Sequence, residues 1–256
     1  MEKRMVKIRN TQIGDGIPKI CVPLVAENEK ELKTALEELI KSPFDLVEWR
    51  ADFYKNVEAE QICKGALELI REYLQQRPLL FTFRTAAEGG NRAIENEAYF
   101  SLNRAAAESG LVDIVDVEIY RDEEAARSLA EYLHQRGVFA LGSNHDFEKT
   151  PCREEIVKRL CRMQELDVDI TKIAVMPRER KDVLELLAAA VEMKEIYGDR
   201  PCVTMSMGSL GVLSRVSGSF SGSAITFGTA GKASAPGQIP ADSLKNVLRI
   251  LSESIE

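Results

Sequence analysis

A chain of 256 residues, 45% of them hydrophobic, can bury the core of one large α/β domain or of two small ones. Its net charge of −7 argues against a nucleic-acid partner or an anionic membrane surface. The chain contains no run of eighteen apolar residues, and no apolar signal core follows Met1–Arg4, so we expect neither a membrane span nor a secretion signal.

The cysteines and histidines limit the kinds of site that the chain can build. The five cysteines are odd in number and form no CxxC pair, which predicts reduced, mostly buried thiols and a cytoplasmic location. Only two histidines are present, which excludes a histidine-rich metal site. The cysteine spacing does not favour a thiolate zinc site either.

The chain begins with a short apolar segment and then settles into a regular alternation. Residues 6–9 and 17–20, with Gly14–Gly16 between them, predict an N-terminal hairpin with a glycine turn. Strand-like apolar runs then begin near Lys19, Leu46, Leu79, Ile114, Phe139, Ile170, Cys202 and Ala224. Most are separated by stretches with the i, i+3, i+4, i+7 apolar spacing of amphipathic helices. The Gly/Ser-rich segment Ser209–Phe220 predicts only a weak helix.

Eight strands that alternate with helices, at a period of roughly 30 residues, predict a (β/α)8 TIM barrel. We expect one barrel domain over residues 1–256, with the N-terminal hairpin closing the barrel bottom. The alternative is an open doubly wound sheet, but no GxGxxG motif follows the first strand.

Charged side chains occur on strands whose interiors are normally apolar. Lys172 lies in the middle of the sixth strand, where it is either a structural ion or a nucleophile that forms a Schiff base with a carbonyl. His145 ends the fifth strand, at the barrel face where chemistry takes place, whereas His134 is interpreted as a surface residue. The other charged candidates are Glu48, Arg50, Arg84, Asp116 and Glu118 on strands, and Glu88 and Arg215 in the loops that follow strands.

Several of these charges have a purely structural interpretation, as an ion network inside the barrel. Met205 and Met207 are interpreted as a pocket wall. A lysine, a histidine and several arginines at one barrel mouth nevertheless favour a Schiff-base lyase or aldolase acting on a small anionic keto acid. The small-residue loop Thr229–Gln238 is interpreted as a lid over that site.

Six segments, in order and spanning nearly the whole chain, resemble the type I 3-dehydroquinase family of the shikimate pathway. They are Glu48–Asp52, Phe81–Thr85 with Glu88–Gly90, Asp116–Glu118, Ser143–Phe147, Lys172–Pro177 and Lys232–Gln238. The resemblance implies a lyase that converts 3-dehydroquinate to 3-dehydroshikimate by syn elimination of water, with no metal or organic cofactor. It also implies a homodimer.

The resemblance implies a role for each matching position. Lys172 is similar to the residue that forms the imine, His145 to the general acid and base, and Glu88 to the residue that orients this histidine. Arg215 matches the arginine that binds the substrate carboxylate. The remaining implied substrate contacts are Glu48, Trp49, Arg50, Arg84, the apolar wall Met205, Met207 and Phe227, and the lid residues Ser234 and Gln238.

One position departs from the family pattern. Many members carry a serine in the first strand that contacts the substrate, and here that position is Pro23. Two alternatives remain open beside the dehydratase: another Schiff-base barrel such as a class I aldolase or transaldolase, and a catalytically silent barrel that binds a keto acid. An intact lysine, histidine and lid argue against the silent barrel.

Overall fold

The structure is a computed structural model that describes residues 4–230 and 237–255. It opens with an antiparallel hairpin of β1 (Val6–Ile8) and β2 (Thr11–Ile13). The predicted glycine turn at Gly14–Gly16 is wrong, because the chain reverses at Arg9–Asn10, where Arg9 has a φ of 51°. The segment from Lys19 does not pair with β1, since it forms the first strand of the barrel.

The predicted (β/α)8 barrel is confirmed. Its parallel strands are β3 (Lys19–Leu24), β4 (Leu46–Arg50), β5 (Leu79–Thr82), β6 (Ile114–Glu118), β7 (Phe139–Asp146), β8 (Ile170–Val175), β9 (Cys202–Ser206) and β10 (Ile225–Thr229). Seven begin at the predicted residue and the eighth begins one residue later. Each strand from β3 to β8 pairs with the next, and β10 pairs with β3, so the sheet curls on itself.

The barrel closes between β9 and β10 through a bridge and not through a regular ladder. The Ala224 N–H donates to the Cys202 carbonyl at 2.7 Å, and the Thr204 N–H donates to Ser223 Oγ at 3.0 Å. Further along β10, the two-residue strand β11 (Ile239–Pro240) pairs in parallel with Gly228–Thr229. The seam is therefore satisfied by a side-chain hydroxyl and a short added strand.

Helices surround the strands, and their apolar faces cover the outside of the barrel. They are α1 (Glu29–Leu39), α2 (Glu60–Leu74), α3 (Asn96–Glu108), α4 (Glu123–His134), α5 (Arg153–Glu165), α6 (Arg180–Glu192), α7 (Val212–Val216), α8 (Gly218–Ser221) and α9 (Ala241–Ile255). The weak helix predicted over Ser209–Phe220 is thus two short ones, α7 and the start of α8. Asn28 and Asp122 cap α1 and α4 by accepting from backbone N–H groups.

Two clusters of buried apolar side chains hold the strands, the helices and the hairpin together. The larger lies between the strands and the helices, and the smaller fills the barrel below the site. In the smaller cluster the hairpin residues Val6, Ile8 and Ile13 pack with strand residues such as Leu46 and Ile170. This packing confirms that the hairpin closes the barrel bottom. None of the helices formed by the described residues is long and apolar enough to cross a membrane.

Candidate active site

A cavity of about 210 Å³ opens at the carboxyl ends of the barrel strands. Parallel strands in a barrel deliver their terminal side chains to this one face. Most of the predicted site residues line it: Glu48, Arg50, Arg84, Glu88, His145, Lys172, Met205, Met207, Arg215, Phe227 and Gln238. The strand alternation in the sequence therefore brings residues that are far apart in the chain to one small volume.

Lys172 lies on β8 with only 4% of its surface exposed. Its Nζ lies 3.5 Å from Glu48 Oε1 and 3.3 Å from Asp116 Oδ2. On another side the Nζ lies 4.9 Å from the centroid of the Phe227 ring. The amine is thus both a member of a buried ion network and part of the cavity wall, so the two interpretations of this lysine are not exclusive.

Arg84 organises the carboxylates around this lysine. Its guanidinium donates to Asp116 Oδ2 at 2.6 Å, to Glu118 Oε1 at 2.8 Å and to Glu88 Oε2 at 3.3 Å. Burial alone raises the pKa of Asp116, but Arg84 and Lys172 outweigh it and hold that pKa below its ordinary value. The predicted structural ion network therefore exists, and Arg84 is its centre.

His145 and Glu88 form a buried pair beside Lys172. His145 Nδ1 lies 2.9 Å from Glu88 Oε2, and the His145 backbone N–H donates to the same oxygen at 3.0 Å. Burial raises the pKa of Glu88 above its ordinary value, although the Arg84 charge and the Asn144 amide oppose this shift and favour the ionised form. Burial, together with the nearby Arg84 and Lys172 charges, holds the pKa of His145 well below 6.5. The imidazole is therefore neutral near pH 7 and can accept a proton.

A close backbone approach holds Glu88 in place. Glu88 ends a 3-10 turn, Ala86–Glu88, and the chain then passes through Gly89 and Gly90. A Cβ atom on Gly90 would lie 1.8 Å from the Arg84 carbonyl oxygen, and a Cβ on Gly89 would lie 2.2 Å from the Phe147 ring. Both glycines are thus required by space, and they allow the turn to present Glu88 to His145.

Arg215, on α7, is a buried cation without an ion pair in the described part of the chain. Only 4% of its surface is exposed, and the one hydrogen bond of its guanidinium to a described residue is a long contact of 3.5 Å to the Phe227 carbonyl. Its Nε has no hydrogen-bond partner among the described residues. Burial lowers the pKa of Arg215, because removal from water disfavours the charged guanidinium. An unpaired buried guanidinium is costly, and an anionic ligand in the cavity would offset that cost.

Arg50 and Glu48 complete the charged wall on β4. Arg50 makes a two-pronged ion pair with Asp52, with N–O distances of 2.8 and 2.7 Å. Glu48 accepts from the Thr82 hydroxyl at 3.1 Å. Asp52 follows Arg50 by two residues, and its part in the site is visible only in the structure. It fixes the orientation of the Arg50 guanidinium at the cavity edge.

One predicted site residue, Trp49, is not brought to the cavity. Trp49 lies between Glu48 and Arg50, so strand alternation points it to the opposite face, where it packs fully buried against Tyr54 and Phe81. Ser234, and most of the predicted lid over residues 229–238, lie outside the described residues.

Other cavity residues had no role assigned from the sequence. Pro23, Phe147 and Met176 line the wall. Pro23 stands where many family members carry a serine, and its ring forms part of the cavity wall. Phe147 follows the polar strand end at Asp146, which is the signal that could have located it, whereas Met176 follows the apolar Val175 directly after β8. His134 is half-buried outside the cavity and hydrogen-bonds to Asp169 at 2.9 Å.

The fold and this site together define an enzyme of the TIM-barrel class, with a buried lysine and a neutral histidine facing a cavity that suits an anion. The family model for type I 3-dehydroquinase matches residues 20–255. This chain belongs to the type I 3-dehydroquinase family.

Individual relatives agree with this assignment. A 3-dehydroquinate dehydratase of Bacillus licheniformis is 51% identical over 254 residues, which are 99% of this chain and 100% of the relative. Another, of Clostridioides difficile, is 49% identical over 253 residues, 99% of both chains.

Solved structures resemble the fold as closely. The type I 3-dehydroquinate dehydratase of Clostridium difficile, solved with covalently modified comenic acid, has a TM-score of 0.95 at 48% identity and covers 98% of this chain and 99% of its own. The 3-dehydroquinate dehydratase of Geobacillus kaustophilus has a TM-score of 0.95 at 34% identity, covering 100% and 99%.

Proposed function

We propose that this protein converts 3-dehydroquinate to 3-dehydroshikimate in the shikimate pathway, through a Schiff base on Lys172. The observation that carries the proposal is the Lys172 amine in the cavity wall, next to the His145–Glu88 pair, in a chain of this family. A relative was solved with covalently modified comenic acid, which is consistent with covalent chemistry in the family. The family match also favours a dehydratase over the aldolase alternative.

The lysine acts as nucleophile and the resulting iminium as electron sink. The Lys172 Nζ adds to the C3 ketone of the substrate, and the carbonyl oxygen leaves as water. The iminium nitrogen carries a positive charge, which acidifies the neighbouring C2–H. Glu48 and Asp116 lie beside this nitrogen and stabilise its charge. Because the iminium withdraws electrons, we propose that the reaction needs no metal or organic cofactor.

His145 moves the proton within the elimination. As a neutral base it removes the C2 proton, the C1–OH bond breaks, and the same imidazolium returns the proton to the departing hydroxyl as water. Because one imidazole removes the proton and returns it on the same face of the substrate ring, the elimination is syn. A second water then hydrolyses the iminium, which releases 3-dehydroshikimate and the free amine. The net change is the loss of one water from the substrate.

Arg215 binds the substrate carboxylate. It is the buried cation that lacks an ion pair in the described structure, whereas Arg50 pairs with Asp52 and Arg84 with three carboxylates. Glu48, Arg50 and Arg84 face the substrate hydroxyls. Met205, Met207 and Phe227 form the apolar wall, and Gln238 lines the cavity beside them.

The assay for the proposed activity is direct. Purified protein mixed with 3-dehydroquinate should produce the ultraviolet absorbance of the conjugated enone of 3-dehydroshikimate. Wild type and the variants Lys172→Ala and His145→Ala should be compared, and both variants should lose turnover. If wild-type protein produces no enone, this function is refuted. If the His145→Ala variant retains full activity, the role of His145 is refuted.

We also propose a cytoplasmic homodimer. Apolar side chains on three neighbouring helices face outward: Leu213 on α7 (48% exposed), Phe220 on α8 (67%) and Ile250 on α9 (55%). Exposed apolar side chains on adjoining helices are a common feature of protein interfaces. Sedimentation equilibrium should give twice the mass of one chain, and a Phe220→Lys variant should shift the equilibrium towards monomer. A wild-type monomer at micromolar concentration would refute the dimer.

A further inference from the structure

A line of hydrogen bonds leads from the helix layer to the His145–Glu88 pair. Arg159, on α5, donates from Nη1 to Asn144 Oδ1 at 3.1 Å. Asn144, on β7, donates from Nδ2 to Glu88 Oε1 at 3.2 Å. Asn144 is 8% exposed and therefore has little solvent to replace these partners.

We propose that Asn144 and Arg159 are positioning residues for proton transfer, because together they hold the Glu88 carboxylate in the orientation that His145 requires. This inference rests on the proposed role of His145 as acid and base. It adds two residues that touch neither the substrate nor the reacting atoms.

Arg159 decides which end of the Asn144 amide faces Glu88. A guanidinium only donates hydrogen bonds, so it binds the amide oxygen, and the amide nitrogen must then face the other way. If the amide turned over, its oxygen would face the Glu88 carboxylate and its N–H groups would face the cation. Neither contact would be a hydrogen bond. Arg159 itself is fixed by Glu155, at 2.8 Å, and lies 3.7 Å from Asp146.

The Asn144 amide acts on the one Glu88 oxygen that His145 does not use. Glu88 Oε2 accepts from His145 and from Arg84, whereas Oε1 accepts from Asn144. Two fixed oxygens define the plane of the carboxylate, and with it the direction of the Oε2 lone pair towards the imidazole. Without Asn144 the carboxylate can turn about its last bond.

The hydrogen bond from Asn144 also favours the ionised form of Glu88, which burial and the neighbouring carboxylates disfavour. Burial and the Glu118 and Asp116 carboxylates raise the pKa of Glu88, while Arg84 and the Asn144 amide lower it. Lys172, Arg84 and Arg50 are the charges that act on the neighbouring His145. Loss of the amide donor therefore increases the protonated fraction of Glu88 at neutral pH.

The protonation state of Glu88 sets the tautomer of His145. Ionised Glu88 accepts the proton of Nδ1–H, which leaves Nε2 with a free lone pair as the base. Protonated Glu88 instead donates to Nδ1, which puts the imidazole proton on Nε2 and removes the base. The amide of Asn144 therefore keeps the histidine in the productive tautomer, although it lies outside the cavity lining.

The test compares the pH profiles of turnover in matched variants. Asn144→Leu keeps the approximate shape of the side chain and removes the donor. We expect kcat to fall about tenfold, a part of the roughly 10²–10⁴-fold that general acid–base catalysis contributes, with KM unchanged. The acidic limb of the kcat profile should move to higher pH. Arg159→Met should change kcat and the acidic limb in the same direction by a smaller factor.

Arg162→Met is the matched control. Arg162 lies on the same helix and pairs with Glu123 and Glu165, but it does not contact Asn144, so its profile should equal that of wild type. Unchanged kcat and acidic limb in Asn144→Leu would overturn the inference. If Asn144→Leu does not fold, an unchanged Arg159→Met profile overturns it. If His145→Ala is fully active, the proposed function fails instead, so the two failures are distinguishable.

Discussion

Replacing Lys172 with methionine removes the ammonium that lies 3.5 Å from Glu48 and 3.3 Å from Asp116. Methionine has about the same length and no charge, so the change acts on charge more than on packing. The two carboxylates differ in the partners that they retain after this substitution. Asp116 keeps Arg84 at 2.6 Å and the Ser143 hydroxyl at 2.6 Å, whereas Glu48 keeps the Thr82 hydroxyl at 3.1 Å.

The free-energy cost therefore falls mainly on Glu48. Removing one partner of a buried ion pair typically costs about 3–5 kcal/mol, because the other charge stays buried without compensation. Since Asp116 retains its guanidinium, we expect the lower end, about 3 kcal/mol in the free energy of unfolding. For a chain of this length that corresponds to a fall in Tm of roughly 6–12 °C. Turnover should be abolished as well.

Urea denaturation of four proteins measures this cost. The double variant Lys172→Met/Glu48→Gln should recover about 2 kcal/mol of the loss, because the amide removes the uncompensated charge. Lys64→Met, at an exposed position on α2, should stay within about 0.5 kcal/mol of wild type. The reasoning is refuted if Lys172→Met is as stable as wild type, or if Glu48→Gln restores nothing in its background.

Three further outcomes are expected. Arg215→Gln should raise KM about 10- to 150-fold in steady-state kinetics, because a hydrogen bond to a charged group contributes about 1.5–3 kcal/mol. An unchanged KM would contradict a contact between Arg215 and the substrate carboxylate. The pKa of His145 lies well below 6.5 in the folded protein, so the unfolded chain binds more protons between that pKa and 6.5. The free energy of unfolding of wild type should therefore decrease as the pH falls below 6.5, and that of His145→Gln should decrease less. Urea titrations over this pH range measure both. Parallel plots of stability against pH for the two proteins would argue against a depressed His145 pKa. Gly90→Ala should cost about 2 kcal/mol or more, since its Cβ would lie 1.8 Å from the Arg84 carbonyl, while Gly65→Ala, with open space around it, should show no loss in thermal melts.

Much of the barrel could be predicted because its signal is local. Strand starts and helix faces follow from apolar periodicity, which depends on burial on one or both sides of an element. The hairpin turn could not be predicted in the same way. Glycines at positions 14 and 16 were the stronger turn signal, yet the reversal lies at Arg9–Asn10, and the pairing of Val6 with Ile13 is decided by contacts with the barrel bottom.

Most residues of the site could be predicted from the sequence, but the ion pairs and hydrogen bonds among them could not. Alternation along β4 places Glu48 and Arg50 inward, and the same rule, applied to Trp49, would have placed it outward. The sequence holds no signal for which carboxylates Arg84 binds, or for the lack of an ion pair between Arg215 and any described residue, because both depend on residues brought together from different strands. The role of Asn144 also depends on Arg159, fifteen residues further along, on a separate helix.

The central claim is that Lys172 forms an imine with the substrate, and borohydride reduction tests it most directly. The protein is incubated with 3-dehydroquinate, treated with sodium borohydride, digested, and its peptides are sequenced by mass spectrometry. The expected result is one reduced adduct, on Lys172, that is absent from the Lys172→Met variant and retained in Asn144→Leu. An adduct on any other residue, or no adduct in a protein that still produces the enone, would contradict the mechanism.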